Sequence, residues 1–401
     1  MLNKGKFRPF FDKACVISLY ILLFFIPVSS TAIELFFLFA LLFFLGKLFT
    51  SKGLFFQLLK NEKIVLFFFA SLGFSLINSG TLLPISLRAL FLKWGEYILL
   101  YLMIAQTLIS AHRIKYAIIC ISFGAVLVIL DCYSQLFFNF EFLRHRNMTL
   151  HTFNISALTG PFKHNNGLAV YLVCALIIIL YWVFSKSTKM IKPVAAAVFI
   201  SGIFILSRTY SRGGWFIFII AIILLAFFMK KLRFLGLSLL LTIILGLKIN
   251  YFKFLIFKGS DRFELWDISL RMIKEHPLLG NGIGTFMALF RNFSPSIAIS
   301  YAHNCFLQLW AEAGLISLAL FLLFIFKTIN EGLLFHKKTK DPIFVILVCA
   351  ITAYLCHSFF DTDLFSLQIA VLFWALMGLL RGSIMPQIAL KEKSVAVGYN
   401  V

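Results

Sequence analysis

The residues of this chain best suited to chemistry are an arginine and a histidine on separate segments, Arg212 and His303. Arg212 lies in SRTYSRGGW (207–215), a short link between two apolar runs. Gly213 and Gly214 suffice for such a turn, yet it also carries Arg208, four residues earlier and on the same face if the run is helical. Guanidinium groups at a membrane boundary are costly unless they are paired or reach the headgroups. Snorkelling to lipid phosphates accounts for one arginine more readily than for two. A clamp on a phosphorylated group arriving in the membrane plane accounts for both, because the planar donor fork of arginine matches phosphate oxygens. His303 opens YAHNCFLQLWAEAGL (301–315), where Asn304, Gln308 and Glu312 recur at spacings of four and so share one helical face. A lone histidine entering a span is most often a satisfied core residue. Here it ends an arginine-bearing loop and heads a polar stripe, and polar groups at membrane depth face a bundle interior or a wet cavity. An imidazole, with an ordinary pKa of about 6.5, is suited to taking the proton of a hydroxyl.

Three further clusters carry weaker signals. In GPFKHNNGLAVYL (160–172), Lys163, His164, Asn165 and Asn166 meet at the mouth of a span. Helix capping is the commoner role for any one of them, and hydrogen bonding to sugar hydroxyls is the alternative. In LLGNGIGTF (278–286), Gly280, Gly282 and Gly284 would cradle a phosphate only between a strand and a helix. A helix precedes them here, so they read as a close-packed turn. In HSFFDTDLF (357–365), Asp361 and Asp363 form a lone Asp-x-Asp pair. With no further carboxylate nearby in sequence they read as counter-charges to the arginines, and no metal site is expected.

These groups need a scaffold. The chain is 61% hydrophobic with 50 Phe and only 13% charged residues, against about 25% charged in a soluble domain. Its mean hydropathy is +0.96, and apolar runs of about 20 residues recur. The fold class is therefore an all-α polytopic membrane protein. Twelve spans are expected, at 14–30, 31–49, 63–79, 94–110, 115–138, 167–184, 193–207, 213–229, 234–250, 305–326, 343–360 and 365–380. The net charge of +21 does not indicate nucleic acid, because the basic residues fall in short loops between spans. With the N-terminus in the cytoplasm, the inner loops are short and Lys-rich and both termini lie inside. Arginine is enriched on the outer side, where an anionic ligand would meet it. The first apolar run flows into the second, so it reads as retained rather than cleaved. Most of the seven cysteines fall in apolar runs and read as small core residues. Residues 1–401 form a single membrane domain, with an outer loop at 251–304 ahead of the His-Asn span. Within that loop, DRFELWDISLRMIKEHPLLG places Asp261 as N-cap and Glu264 three residues later, a capping box. Phe263, Trp266, Leu270 and Ile273 recur at helical spacing as its apolar face, and Pro277 and Gly280 end it.

SRGGWF after an apolar span, RFELWDISLRMI followed by HPLLGNGIGTF, and HNCFLQLWAEAGLISLAL together resemble the O-antigen ligase / O-antigen polymerase superfamily. With DCYSQLFFNFEFLRHR and GPFKHNNGLAVYL the resemblance runs over roughly residues 125–380. It implies a GT-C-like glycosyltransferase of lipopolysaccharide or polysaccharide biosynthesis, multi-pass in the bacterial inner membrane and working on the periplasmic face. The implied donor is an undecaprenyl-diphosphate-linked glycan. The implied acceptor is a hydroxyl of lipid A–core or of another glycan, and no metal or other cofactor is implied. The superfamily's turn arginine falls on Arg212, its loop-helix arginine on Arg262 and its histidine on His303. Arg208, Asn304, Arg271, Lys163, His164, Asn166 and Glu312 are expected to contact substrate. One-step displacement of the diphosphate by the hydroxyl would invert the sugar carbon. Within the superfamily, ligases, repeat-unit polymerases and transferases to Ser or Thr of proteins remain open. A polysaccharide or lipid transporter, the rival from another class, predicts internal repeats and charges through the membrane midplane. Glu34, Glu96, Asp131 and Glu312 fall nearer outer span ends, and no repeat is visible.

Overall fold

The computed structural model describes residues 4–147, 151–152, 155–185, 189–229, 262–294 and 301–398. Its helices are α1 (Lys4–Phe25), α2 (Ser30–Phe49), α3 (Lys52–Asn61), α4 (Lys63–Phe74), α5 (Leu83–Ala89), α6 (Glu96–Thr107), α7 (Ala111–Phe138), α8 (Asn165–Phe184), α9 (Ile191–Arg208) and α10 (Arg212–Phe228), then α11 (Arg262–Glu275), α12 (Phe286–Phe293), α13 (Cys305–Thr339), α14 (Pro342–Ser358) and α15 (Leu367–Gly398). Among the described residues six are long and apolar enough to cross a membrane: α2, α7, α8, α9, α13 and the Leu367–Met385 part of α15. Lys63–Asn78, α10 and α14 are apolar but shorter. The expected span at 234–250 and the expected N-cap Asp261 lie outside the described residues.

The all-helical expectation needs one correction. Asn139, left-handed at φ 53°, ends α7, and two small antiparallel hairpins follow. Phe140–Glu141 pairs with Arg146–Asn147, and His151–Thr152 with Ile155–Ser156. The first is stitched down by Arg146, whose Nε donates to Glu141 at 2.6 Å and whose Nη2 donates to the carbonyls of Gly160 and Phe162.

Helix α8 is apolar all round, with Leu168–Leu180 buried throughout. Such a helix belongs inside a bundle, and it packs against α7, α9, α10 and α14. Helix α15 packs on α6, α13 and α14. At the end of the bundle remote from His303, Arg381 of α15 donates to Glu62 at 2.8 Å and also binds Glu331 of α13. Tyr101 of α6 donates to the same Glu62 at 2.7 Å. Buried charges are tolerated only when paired in this way. All seven cysteines are free thiols, five of them buried, as their place in apolar runs leads one to expect.

The expected uninterrupted span after Asn304 is broken. Gly314, at φ 80° and ψ 173°, divides α13. A break at membrane depth exposes backbone donors and acceptors, which must find partners. The glycine-rich segment supplies them: Leu315 N–H donates to the Pro277 carbonyl at 2.9 Å, while Asn281 and Gly282 N–H donate to the carbonyls of Ala311 and Glu312 at 3.0 and 2.9 Å. The chains approach so closely that a Cβ on Gly280 would lie 2.3 Å from the Glu312 carbonyl oxygen. Ser75, Asn78 and Ser79 close over the other side, with Asn78 Nδ2 donating to the Gly280 carbonyl at 2.8 Å and Ile283 N–H to Ser75 Oγ at 3.0 Å. These glycines therefore form a close-packed turn.

The loop helix α11 also differs from expectation. Its buried face is Leu265, Ile268, Met272 and Ile273, packed with Phe286 and Phe290 of α12 against Ala302 and Ala311. Phe263 and Leu270 are exposed instead. Both sets repeat at three and four residues, so periodicity alone does not choose between them; docking on α13 does.

A side chain at Gly314 would meet the Leu278 carbonyl oxygen at 2.1 Å in a backbone region reserved for glycine. Gly314→Ala is expected to destabilise the fold by about 2–3 kcal/mol, read as a lower thermal midpoint in detergent.

Candidate functional site

The site grows from the turn after α14. Asp361 Oδ1 lies 3.2 Å from His303 Nδ1 and accepts the Thr362 N–H at 2.8 Å. Its Oδ2 accepts from Asn166 Nδ2 at 2.9 Å. Asn166 Oδ1 in turn accepts from Ser211 Oγ at 2.9 Å. Ser211 is the N-cap of α10, taking the Gly214 N–H on its Oγ at 3.1 Å, and the next residue is Arg212. An unbroken chain of hydrogen bonds thus joins His303, Asp361, Asn166 and Ser211 across four separate segments. Asn165 Nδ2 braces the turn by donating to the Thr209 carbonyl at 2.9 Å. Cys305 Sγ lies 3.2 Å from the Asp361 carbonyl and accepts the Leu364 N–H at 3.3 Å, tying the aspartate turn to the start of α13.

Burial acts to raise the pKa of Asp361. The His303 hydrogen bond, the His357 and His303 charges and the Thr362 N–H outweigh it and hold the carboxyl well below the ordinary range. An ionised carboxylate only accepts hydrogen bonds. That assigns the Nδ1 proton to His303 and leaves Nε2 as the ring nitrogen turned away from the carboxylate. The His303 side chain is 30% exposed, so the site is reachable. Its backbone is left-handed at φ 46°, and Tyr210 beside the Arg212 turn has φ 51°. Bulky residues adopt such angles only where surrounding contacts enforce them, and functional sites concentrate this strain.

Arg262, at the start of α11, lies within electrostatic reach of both Asp361 and Arg212. Burial and the Arg212 charge push its pKa down, and Asp361 opposes them. Arg262 and Arg212 are thus within electrostatic reach of each other, and Arg262 is within reach of the aspartate that His303 hydrogen-bonds. His164, at the N-cap position of α8, is also near. Burial and Lys163 lower its pKa against the pull of Asp361. Lys163 itself is exposed. The asparagines do not cap α8 as expected, because their side chains bind the 209–211 turn and Asp361.

The other residues expected to contact substrate have partners within the chain. Asn304 Oδ1 caps α13 by accepting from Phe306 and Leu307 N–H at 2.9 and 3.0 Å. Glu312 accepts from Gly284 N–H at 2.8 Å, from Phe286 N–H at 3.3 Å and from Gln308 Nε2 at 3.3 Å. Glu312, the last member of the polar stripe, thus faces the glycine loop and α12. Arg271 pairs with Asp267 at 3.1 Å on the exposed side of α11. Arg208 lies over the Tyr210 ring, 5.7 Å from its centroid.

Asp361 and Asp363, expected to counter arginines, hydrogen-bond to histidines. Asp363 Oδ2 lies 2.8 Å from His357 Nδ1 and accepts from Ser358 Oγ at 3.1 Å. Sequence reasoning did not single out His357 or Ser211. The one available signal was the crowding of His357, Asp361 and Asp363 within a single span end.

Residues 196–322 match the family model of the O-antigen ligase. The match bears out the resemblance to the O-antigen ligase / O-antigen polymerase superfamily, over a narrower stretch than residues 125–380. It takes in Arg212, Arg262, His303 and the Gly314 break, while Asn166, His357, Asp361 and Asp363 lie outside it. It supports an O-antigen ligase- or polymerase-type activity in general, in a multi-pass membrane protein, with a lipid-linked glycan and a glycan acceptor as general partners. No curated protein matches the chain.

The depressed Asp361 pKa sets a pH dependence. An unfolded aspartate protonates near pH 3.9, while the folded one stays ionised. Stability from this group is present above about pH 4 and is lost as pH falls further. Asp361→Asn is expected to lower the midpoint at pH 7 and to flatten its fall between about pH 4 and pH 3, read by thermal melts in detergent.

Proposed function

We propose that the chain is an O-antigen ligase-like glycosyltransferase, moving a glycan from an undecaprenyl-diphosphate carrier to a sugar hydroxyl of lipid A–core on the periplasmic face of the inner membrane. The observation that carries this reading is the hydrogen-bonded line from His303 through Asp361, Asn166 and Ser211 to the Arg212 turn, with Arg262 beside it. The acceptor oxygen attacks the anomeric carbon as its proton passes to His303 Nε2. The bond from that carbon to the diphosphate oxygen breaks, and the carrier diphosphate leaves. Asp361 holds the ring in the required tautomer and supports the imidazolium that forms. Arg212 and Arg262 face the charge that builds on the leaving diphosphate. Fixed cations in a poorly hydrated site act there strongly, so the chain's own side chains supply the stabilisation. Attack opposite the leaving group inverts the sugar carbon.

The test is transfer in vitro from a polyprenyl-diphosphate glycan by detergent-solubilised protein, with chelator present. Extended lipid A–core would support the ligase. Elongated lipid-linked glycan would make the chain a polymerase, and glycan on Ser or Thr a protein transferase. Transfer without a sealed compartment would remove the transporter. His303→Ala and Arg212→Ala are each expected to lower the rate by about 10²–10⁴-fold. Full activity in either, with normal insertion, would sink the assignment.

A further inference from the structure

The turn at 361–363 holds a second histidine–aspartate pair that the reaction above leaves unused. His357 and Asp363 are 2% and 5% exposed, 2.8 Å apart and backed by Ser358. Taking such a pair out of water is costly, and an apolar pair of similar volume often packs as well. Its surroundings connect it to the arginine. A Cβ added to Gly213 would lie 3.3 Å from both Cδ2 and Nε2 of His357. That ring edge therefore rests on the residue following Arg212. Gly213 is in the first turn of α10, where alanine is the better helix former by about 1 kcal/mol, and its backbone is not left-handed. The backbone would accept alanine, and the added Cβ would require the His357 ring to give by a few tenths of an ångström. On the next residue a Cβ would come within 2.6 Å of Ala169 Cβ, so the first turn of α10 is seated between α8 and α14. His357 is also within electrostatic reach of Asp361 and Arg262.

Resting on the proposed transfer reaction, we propose that His357 is a positioning residue: Asp363 and Ser358 fix its ring, and the ring edge against Gly213 sets where the Arg212 guanidinium stands relative to the donor diphosphate. The two aspartates then divide the work. Asp361 orients the base, and Asp363 orients the seat of the arginine, so one short turn places both ends of the reaction.

Gly213→Ala is the decisive variant, because it presses on the ring without removing any polar group. A purely structural role for His357 predicts an unchanged rate, whatever the shift in melting midpoint. The proposal predicts a fall in kcat of roughly 10- to 100-fold with the midpoint held. His357→Gln is expected to fall similarly. In an Arg212→Lys background, where the guanidinium is already gone, Gly213→Ala is expected to add little. Full additivity with Arg212→Lys, or wild-type kcat in Gly213→Ala, would overturn the positioning role. The two failures are separable. Wild-type protein that transfers nothing overturns the reaction itself, whereas active wild type with an equally active Gly213→Ala overturns only the inference.

Discussion

The carboxylate of Asp361 is the group on which the arrangement of the site depends. It is held ionised among donors that arrive from different parts of the chain: His303 ahead of α13, Asn166 in the first turn of α8 and the N–H of its own neighbour Thr362. Each donor is fixed in turn by something else. Asn166 binds Ser211, which caps the helix that begins with Arg212. Removing water from a charge makes every remaining partner count for more. A single partly buried anion can thus hold an imidazole and a guanidinium-bearing turn in one frame. The positive charges of Arg212 and Arg262 repel each other, and the anion nearby offsets that cost.

A second constraint acts on the backbone. Where α13 breaks at Gly314, the freed carbonyls and N–H groups are taken up by residues 277–282. The segment leading out of α11 is thereby locked to the helix that starts beside His303. Glu312 completes the lock by accepting the N–H groups at the start of α12. Arg262 at the far end of α11 is thus carried on an element anchored to the same helix as His303. The family-model match spans both anchors and Ser211, while Asp361 and Asn166, which link His303 to that turn, lie outside it. The site is built from separate stretches of chain, before, within and after the matched region, that meet only in the folded bundle.

Much of this could be read from the residues. Composition and the length of the apolar runs determined a helical membrane protein, because lipid leaves the backbone few other ways to satisfy itself. The setting of Arg212 and His303 marked them before any coordinates, since charge and imidazole at span ends are expensive and therefore informative, and the family resemblance added Arg262. What remained illegible has a common cause. Sequence spacing reports which face a residue occupies, not what that face meets. Of Asn304, Gln308 and Glu312, the first caps the helix, the second reaches back to the Ala302 N–H and only the third meets the glycine loop. Phe263 and Leu270 repeat as well as Leu265, Ile268 and Met272, and only docking on α13 selected the second set. Asp361 and Asp363 were seen as anions, but their histidine partners come from separate elements 58 and 6 residues away. By itself the sequence determined the solvent, the secondary structure and the types of reactive group. Tertiary structure decided the pairing, because a hydrogen bond depends on a fraction of an ångström between segments whose separation along the chain carries no such information.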